Sequence, residues 1–403
     1  MSRRVVVTGM GVVAPNGIGV DAYWRALSAG QCAIGPREYT SAEKFSLTKP
    51  TAAVDDPDGV LDNLGRDIAR TDRFSKFAVA AADEAMKMSG LEIDEALSGR
   101  AACIIGTGIG GQVSYDKAYV DMLWYEKRPH PTSILKLIPN AAASHLSIRF
   151  GLRGPAFAVS SACASGAHAI GVCADLIRSG AADVGVTGAS EACLTFGSLE
   201  AWRAMYILSD DTCRPFSKNR SGLVIGEGAG VLVLEEEERA RARGAPILAR
   251  LAGFGMNADG KDMINPAVEG ASGAMTLAMD SVKINDPSAV YINAHGTGTL
   301  MNDPTETKAI RTVFGQDADA LVVSSTKSMH GHLLGAAGGI ETIAALLALK
   351  HGVAPPTVNY DEPDPECDLN YAQTGAVERD FELVLSNSFA FGGLNAVVAF
   401  EKG

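Results

Sequence analysis

Short apolar runs that stop at glycine or small polar residues, each followed by a stretch with helical spacing, recur along almost the whole of this chain. Strands are predicted at residues 4–8, 101–106, 182–187 and 228–235, with helices at 17–29, 72–89, 139–150 and 165–179. The pattern then restarts, with strands at residues 247–254, 289–294, 321–324, 381–387 and 396–400. Apolar strands need cover, and alternation with helices supplies it, so the chain is read as α/β with helices over both sheet faces.

Length and charge bound the function. The 403 residues, 47% of them hydrophobic, can bury a large core and by length alone would give two or three domains. There is no run of about 18 apolar residues, and the stretch Val5 to Val7 is soon interrupted by Gly9 and Gly11, so neither a membrane span nor a signal peptide is expected. Seven cysteines, an odd number without C-x-x-C spacing, predict reduced thiols in the cytoplasm rather than a disulfide framework or a zinc site. A formal net charge of -12 with no long basic run excludes a general nucleic-acid binder. Glu235 to Glu238, followed by Arg239, Arg241 and Arg243, read as a solvated helix with opposite charges four apart. Residues 38–65 and 353–369, rich in Pro or Asp, read as rigid surface connections.

Chemistry gathers at three strand ends. In AFAVSSACASGAHAI, residues 156–170, an apolar run passes through Ser160, Ser161 and Ala162 to Cys163 and on into a helix of small residues. A strand-to-helix bend exposes the side chain at the bend, and the first free N–H groups of the helix place about half a positive charge there, which favours a thiolate. A lone cysteine in apolar surroundings is more often a core residue, so Cys163 needs partners. Residues 289–306 offer His295, and residues 321–339 offer Lys327, His330 and His332, each beside glycines. A single histidine after a strand is usually a hydrogen-bonded core residue. Three strand ends carrying Cys, His and Lys/His are what a site at the carboxyl ends of an α/β sheet requires.

At these residues the chain resembles a known family. The resemblance runs through RRVVVTGMGVVAPNG at the start, SSACASGAHAIG around the cysteine, RPFSKNRSGLVIGEGAG, HGTGTLMNDPTE, TKSMHGHLLGAAGGIE and SNSFAFGGLN, and so covers nearly the whole sequence. These motifs are similar to those of the elongating β-ketoacyl-acyl-carrier-protein synthases, condensing enzymes of the thiolase-like superfamily. The resemblance implies a thiolase-like fold, a duplicated five-layer αβαβα sandwich. It implies an N-terminal half, residues 1–251, carrying the nucleophile, and a C-terminal half, residues 252–403, carrying the histidines. It further implies decarboxylative condensation of an acyl group with malonyl thioester to a 3-oxoacyl product, with no metal or organic cofactor. The substrates would ride on the phosphopantetheine of acyl carrier protein, and the enzyme would be a cytoplasmic homodimer.

Site residues follow from the same resemblance. Cys163, His295 and His332 fall on the catalytic Cys-His-His set, and His330 does not. Lys327 and Glu341 match positions that pair, so the lysine is expected to orient the histidines electrostatically rather than to act as a base. The tetrahedral oxyanion on the acyl group needs two N–H donors, assigned to the backbone of Cys163 and Phe391, and Phe391 also matches the ring that closes the acyl tunnel. Thr297 and Thr299 match hydroxyls that hold the pantetheine arm, and a reading as plain turn residues is equally good. Ile109 matches an acyl-pocket position; Phe389 is grouped with the substrate-binding residues, and Asp303 and Asn395 with the supporting ones. Residues 257–270 correspond to a loop at the entrance, but Asp262, Met263 and Ile264 depart from the commoner residues there, which leaves gating open. Arg66 with Arg70, and Lys127 with Arg128, match positions around the tunnel mouth and would give an acidic protein a local positive field for an acidic carrier; scattered surface charge is the plain alternative.

The subclass can be narrowed. Two histidines argue against chain-initiating Cys-His-Asn relatives, the lack of a cysteine after Cys367 against thiolases, and Cys163 itself against chain-length-factor partners. Departures at Ser217, Ser221, Leu223, Asp262, His330 and Leu394 lean toward a specialised polyketide, aryl polyene or modified-lipid synthase over primary fatty-acid synthesis. A different class, an NAD-dependent oxidoreductase, is suggested by Gly9, Gly11 and Ala14 and by Gly106, Gly108 and Gly111, which fit the glycine fingerprint after strands. Neither set is followed about 20 residues on by an acid at the end of a second strand, so this is the weaker reading.

Overall fold

Gly9 and Gly11 show how the first layers are assembled. In the computed structural model, which describes residues 3–403, a Cβ at either position would lie about 2 Å from the carbonyl oxygen of Ala85 or Ala81. Both carbonyls belong to the helix α1 (Arg73–Ser89), whose backbone therefore rests directly on β1 (Val5–Ala14). The first glycine fingerprint is a packing device, not a phosphate cradle. The chain enters α1 through Asp72, which accepts from the Phe74 N–H at 3.1 Å, and leaves it through Gly90 in the left-handed region.

The first half continues with β2 (Ala101–Gly106), α2 (Ala141–Phe150), β3 (Ala156–Val159), α3 (Ser165–Arg178), β4 (Val184–Glu191) and β5 (Gly228–Glu236). The second contains β6 (Ala249–Ala258), α4 (Val268–Met279), β7 (Val290–Asn293), α5 (Asn302–Phe314), β8 (Val322–Ser324), the single turn α6 (Lys327–His330), α7 (Ala337–His351), β9 (Leu383–Ala390) and β10 (Leu394–Glu401). The strands follow one path, β8-β7-β9-β10-β6-β1-β5-β4-β2-β3. At its middle β6 and β1 share only two residue pairs, Val6 with Arg250 and Val7 with Ala249.

Divided there, the halves repeat each other. Reading outward from the join, each runs first strand, fifth, fourth, second, third, with antiparallel neighbours up to the fourth strand and parallel ones beyond it. Helices α1 and α2 cover the outside of the first sheet, and α4 and α5 the outside of the second. Between the sheets lie α3 and α7. Every residue of α7 from Ala337 to Leu349 is buried, as a helix apolar on all sides must be. The two central helices cross on glycines: a Cβ at Gly166 would lie 2.7 Å from the Gly339 nitrogen. The result is the expected duplicated αβαβα sandwich.

Four readings of the sequence are corrected. Residues 38–65 contain most of a hairpin, Gly35–Ser41 paired with Phe45–Thr51, whose alternating exposed and half-buried residues hid it. Glu235 to Glu237 are buried: Glu235 accepts from Thr8 Oγ1 at 2.6 Å and pairs with Arg243, and Glu236 caps the short helix that follows. β1 runs on past Thr8 to Ala14, because the glycines within it are covered by α1. Leu251, placed at the boundary between halves, lies inside β6.

Candidate active site

Equivalent strand ends of the two halves build the site. Cys163 follows β3, the third strand of the first half; Lys327 and His332 follow β8, the third strand of the second. His295 follows β7, and Phe391 sits in the hairpin between β9 and β10. The internal two-fold thus brings Cys163 face to face with Lys327 and His332.

At the bend, Ala162 has φ 48°, a left-handed conformation that costs an alanine about 1–2 kcal/mol. Ser165 holds it there. The Ser165 hydroxyl donates to the Ala162 carbonyl at 2.7 Å and accepts from the Ser161 N–H at 2.9 Å, while Ser161 Oγ bonds His168 Nδ1 at 2.8 Å. Cys163 is 6% exposed. Burial pushes its thiol up to about 12, against the pull of the Lys327 cation. The resting group is therefore the thiol, which corrects the expected thiolate: desolvation of a sulfur anion outweighs the helix start.

The two imidazoles meet edge to face, with ring centroids 5.3 Å apart, and one nitrogen of each ring and the Cys163 sulfur all lie within 4.8 Å of one another. Burial, then the Lys327 cation, holds both well below the ordinary histidine range, so both are neutral. The Leu334 N–H donates to Nδ1 of His332 at 3.2 Å, which places the proton of that ring on Nε2. Nε2 is buried without a protein partner. His295 is held through its backbone, because its N–H and that of Gly296 each donate at 2.8 Å to one oxygen of Glu306. A tetrahedral zinc would need ligand atoms about 3.5 Å apart, and a buried cation beside it would oppose it, so the cluster fits thiol–imidazole chemistry better than a metal cage.

That cation is Lys327, which is fully buried and lies 2.6 Å from Glu341, also fully buried. Burial raises the Glu341 carboxyl and the Lys327 charge opposes the rise. Thr297 and Thr299 bond each other through their hydroxyls at 2.9 Å and line the chamber. Asp303 accepts from the Phe216 N–H at 2.7 Å and the Gly298 N–H at 3.2 Å, which fixes the threonine loop.

The chamber has a volume of about 250 Å³ and is lined by Cys163, His295, His332, both threonines, Phe389, Phe391 and Trp202. The Phe391 ring stacks on Trp202, 6.1 Å away. Ile109 is not on this chamber. It lines a neighbouring cavity of about 420 Å³, with Trp202 forming a wall of both. Residues 257–270 are shorter as a loop than expected, since β6 extends to Ala258 and α4 begins at Val268. The Met263 carbonyl accepts from the Gly392 N–H at 2.8 Å, the Gly393 carbonyl accepts from the Asp259 N–H at 2.8 Å, and Asn395 Nδ2 donates to Asp259 at 2.7 Å and to Asn257 at 3.0 Å. The entrance loop and the Phe391 hairpin are fastened together.

Two carboxylates of the site went unassigned in the sequence. Glu306 ends the motif HGTGTLMNDPTE, where an acid beside a glycine loop was the available signal. Glu191 had only its place at the end of an apolar strand. Its carboxylate accepts from the backbone of Gly108 at 2.6 Å, Gly335 at 3.1 Å and Ile109 at 3.3 Å, and burial pushes it up to about 7. A Cβ at Gly108 or Gly335 would lie under 3 Å from Glu191, one at Gly106 would meet the Ser165 backbone at 2.5 Å and one at Gly111 the Lys136 carbonyl at 2.0 Å, which accounts for the second glycine fingerprint. Of the basic residues, Arg66, Arg70, Lys127 and Arg128 are exposed, and Lys127 pairs with Asp121 at 3.4 Å.

A buried thiol at a strand-to-helix bend, facing two neutral imidazoles at the matching strand ends of a duplicated sandwich, defines a condensing acyltransferase of the thiolase-like type. The N-terminal domain of Beta-ketoacyl synthase matches residues 2–240, and its C-terminal domain residues 248–361. The chain belongs to the beta-ketoacyl synthase family. It is 45% identical over 405 residues to Nodulation protein E of Rhizobium sp. (strain N33), covering all of both chains. It is 40% identical over 418 residues to 3-oxoacyl-[acyl-carrier-protein] synthase 2 of Staphylococcus aureus (strain COL), covering 100% of this chain and 99% of that one. Among solved structures it is similar to the ishigamide ketosynthase/chain length factor, with TM-score 0.91 and 34% identity, and to a beta-ketoacyl synthase from Burkholderia phymatum, with TM-score 0.89 and 35% identity, each covering all of both chains. It catalyses decarboxylative condensation of an acyl group with a malonyl group to a 3-oxoacyl product, with substrates carried on the phosphopantetheine of acyl carrier protein. The oxidoreductase reading is set aside.

Proposed function

We propose that Cys163 carries the acyl group and that His295 and His332 stabilise the enolate of the malonyl thioester. The observation behind this is the pair of neutral rings at Cys163, one with its N–H fixed toward the chamber by Leu334. Cys163 sulfur attacks the acyl thioester, and the proton it loses is the one the departing pantetheine thiolate takes up. The oxyanion is assigned to the N–H groups of Cys163 and Phe391. Malonyl thioester then loses carbon dioxide. Neutral imidazole N–H groups in a water-poor chamber stabilise the enolate oxygen without giving up their protons. The enolate carbon attacks the acyl carbonyl and expels the Cys163 thiolate, which regains a proton from water. Lys327, held by Glu341, keeps the site positive as negative charge develops, and Thr297 and Thr299 receive the pantetheine arm. Mass mapping of peptides from the wild-type enzyme after exposure to acyl-carrier thioester, beside Cys163→Ser, tests this: the acyl group is expected on Cys163 and condensation is expected to be abolished in the variant, and label on another cysteine would overturn it.

The pathway we propose is a specialised acyl chain, such as one destined for a modified lipid, rather than bulk fatty-acid synthesis. Identity is 44–45% to four nodulation proteins E and 40% to four synthase 2 proteins, over the full length in each case. Intact mass of protein purified from its host reads the group on Cys163, and an ordinary saturated even-numbered chain alone would sink this assignment. β3 ends the first sheet with Phe157 exposed, an edge suited to a second copy, which supports a homodimer. Among the described residues no helix is long and apolar enough to cross a membrane, and a cytoplasmic location alongside the carrier protein fits. The halves are best divided just ahead of Ala249, where the strand order starts again.

A further inference from the structure

His330 is buried at the end of α6, two residues before His332, and the chemistry above gives it no step. We propose that His330 is a positioning residue: its Nδ1–H holds the Gly331 carbonyl, and so fixes the peptide that carries His332. The inference rests on the enolate role assigned to His332.

The turn leading into His332 is tightly specified everywhere else. Gly331 takes φ 67° and ψ −173°, with its N–H donating to the Lys327 carbonyl at 2.9 Å. The His332 N–H donates to the Val224 carbonyl at 2.6 Å, and the His332 carbonyl accepts from the Gly226 N–H at 2.9 Å. Between these bonds lies the Gly331 carbonyl, and its partner is His330 Nδ1 at 2.8 Å. A nitrogen facing a carbonyl must carry the proton, so in the neutral ring Nε2 is left as an acceptor. Nε2 is buried and has no partner. An unpaired buried acceptor is unfavourable, and an aliphatic side chain would fill the space without it. The feature that distinguishes imidazole here is therefore the Nδ1–H.

Slack does not absorb a change at this point. The ring lies against that of Tyr23, with centroids 6.2 Å apart. A Cβ on Gly331 would lie 3.0 Å from the Val224 carbonyl and 3.2 Å from Ala52, and a Cβ on Gly226 would lie 2.6 Å from the His330 carbonyl. A Gly331 carbonyl released from His330 would turn to find another donor. The rotation would pass into the next residue, His332, and take its Nε2–H away from the enolate oxygen.

The substitutions that separate positioning from filling are Asn and Gln. His330→Asn puts an amide N–H where Nδ1 stood, whereas His330→Gln fills more of the space but reaches toward the Nε2 position. Acyl loading of Cys163 is followed by intact mass, and kcat and KM for malonyl thioester by carbon dioxide release. His330→Ala and His330→Gln are expected to load the acyl group at the wild-type rate and to lose roughly tenfold or more in kcat with KM little changed, since small misplacements of a catalytic group are costly. His330→Asn is expected within about threefold of wild type. Wild-type kcat in the Ala or Gln variant, or better rescue by Gln than by Asn, would overturn the proposal. His332→Ala, run in parallel, separates the two claims: normal carbon dioxide release by that variant removes the role of His332 itself, whereas loss there with intact His330 variants removes only the positioning role.

Discussion

The backbone N–H of Leu334 points at Nδ1 of His332 from 3.2 Å, and this bond decides which nitrogen of the ring carries the proton. An imidazole fixed in that tautomer offers an N–H and no lone pair to the chamber, which suits an enolate oxygen and not a proton to be abstracted. Gln carries an amide N–H near the Nε2 position. His332→Gln is therefore expected to keep a measurable fraction of malonyl decarboxylation, while His332→Ala and His295→Ala lose about 10²-fold or more, comparable to deleting an oxyanion-hole donor. Acyl transfer to Cys163 should survive in all three. Carbon dioxide release and intact mass on the same samples check both halves of the expectation.

Glycine to alanine inside a helix ordinarily stabilises by about 1 kcal/mol. At Gly166 the sign should reverse. The new methyl would lie 2.7 Å from the Gly339 nitrogen and 3.0 Å from the Ala189 side chain, both in the packed centre of the molecule. Forcing the central helices apart costs about 1–3 kcal/mol, and α3 carries Cys163 at its start. Denaturant unfolding of Gly166→Ala should show the loss in stability, with slower acylation of Cys163 beside it. A more stable variant with normal acylation would show that the helices have room.

These glycines also mark what the sequence could and could not convey. The alternation of strands and helices was legible because the strands are buried on both faces, and the Cys, His and Lys positions because each ends an apolar run. The repeat of strand order was not: corresponding strands share a place in the sheet but no residue pattern. Glu191 was missed because its partners are backbone N–H groups at Gly108 and Gly335, more than 80 and more than 140 residues away, and no side-chain motif records such bonds. Glu235 was misread for the opposite reason, since a charge run looks solvated unless one knows that Thr8 and Arg243 enclose it.

Lys327 and Glu341 form an ion pair with no exposure on either side. Removing one partner leaves a buried charge uncompensated, at about 3–5 kcal/mol, whereas replacing both by apolar residues of similar volume is often neutral. Lys327→Met alone should therefore unfold at clearly lower denaturant than the double variant Lys327→Met with Glu341→Leu. The double variant should fold and still decarboxylate poorly, because the positive field at the histidines is gone. Recovery of carbon dioxide release along with stability would show that the pair is only structural.

Burial holds His330 down to about 3, well below the histidine value of an unfolded chain, near 6.5. The unfolded state therefore binds the extra proton first. The sign follows: stability attached to this group is intact above about pH 6.5 and is lost as pH falls, by up to about 1.4 kcal/mol per unit. Glu191, pushed up to about 7, acts in the other direction between its unfolded and folded values, favouring the folded state as pH falls. Glu191 is present in both wild type and His330→Asn, so its contribution cancels in their difference. Denaturant unfolding at pH 7, 6 and 5 should show wild type losing more stability than His330→Asn on acidification. A difference that does not change with pH would mean that the ring is protonated in the folded protein.

A chain with formal net charge -12 gains nothing from overall attraction to an acidic carrier protein. Local charge has to bring the two together. Arg66 and Arg70 are exposed ahead of α1, whereas the next basic residues are engaged, Arg73 with Glu227 at 2.7 Å and Lys76 with Asp62 at 3.4 Å. Arg128 is exposed beside Lys127, whose ammonium lies over the Tyr125 ring and near Asp121. These groups contribute little to folding, as exposed charges seldom do, and the prediction is that they shape the field a carrier meets on approach. Arg70→Glu combined with Arg128→Glu should raise KM for carrier-bound acyl substrate by about tenfold at low salt. The gap should close as ionic strength rises, because the Debye length falls to about 8 Å at physiological salt. A small pantetheine thioester should react equally with both enzymes, so loss of that activity would report damage to the chamber. An unchanged KM for the carrier substrate would remove these arginines from the docking surface.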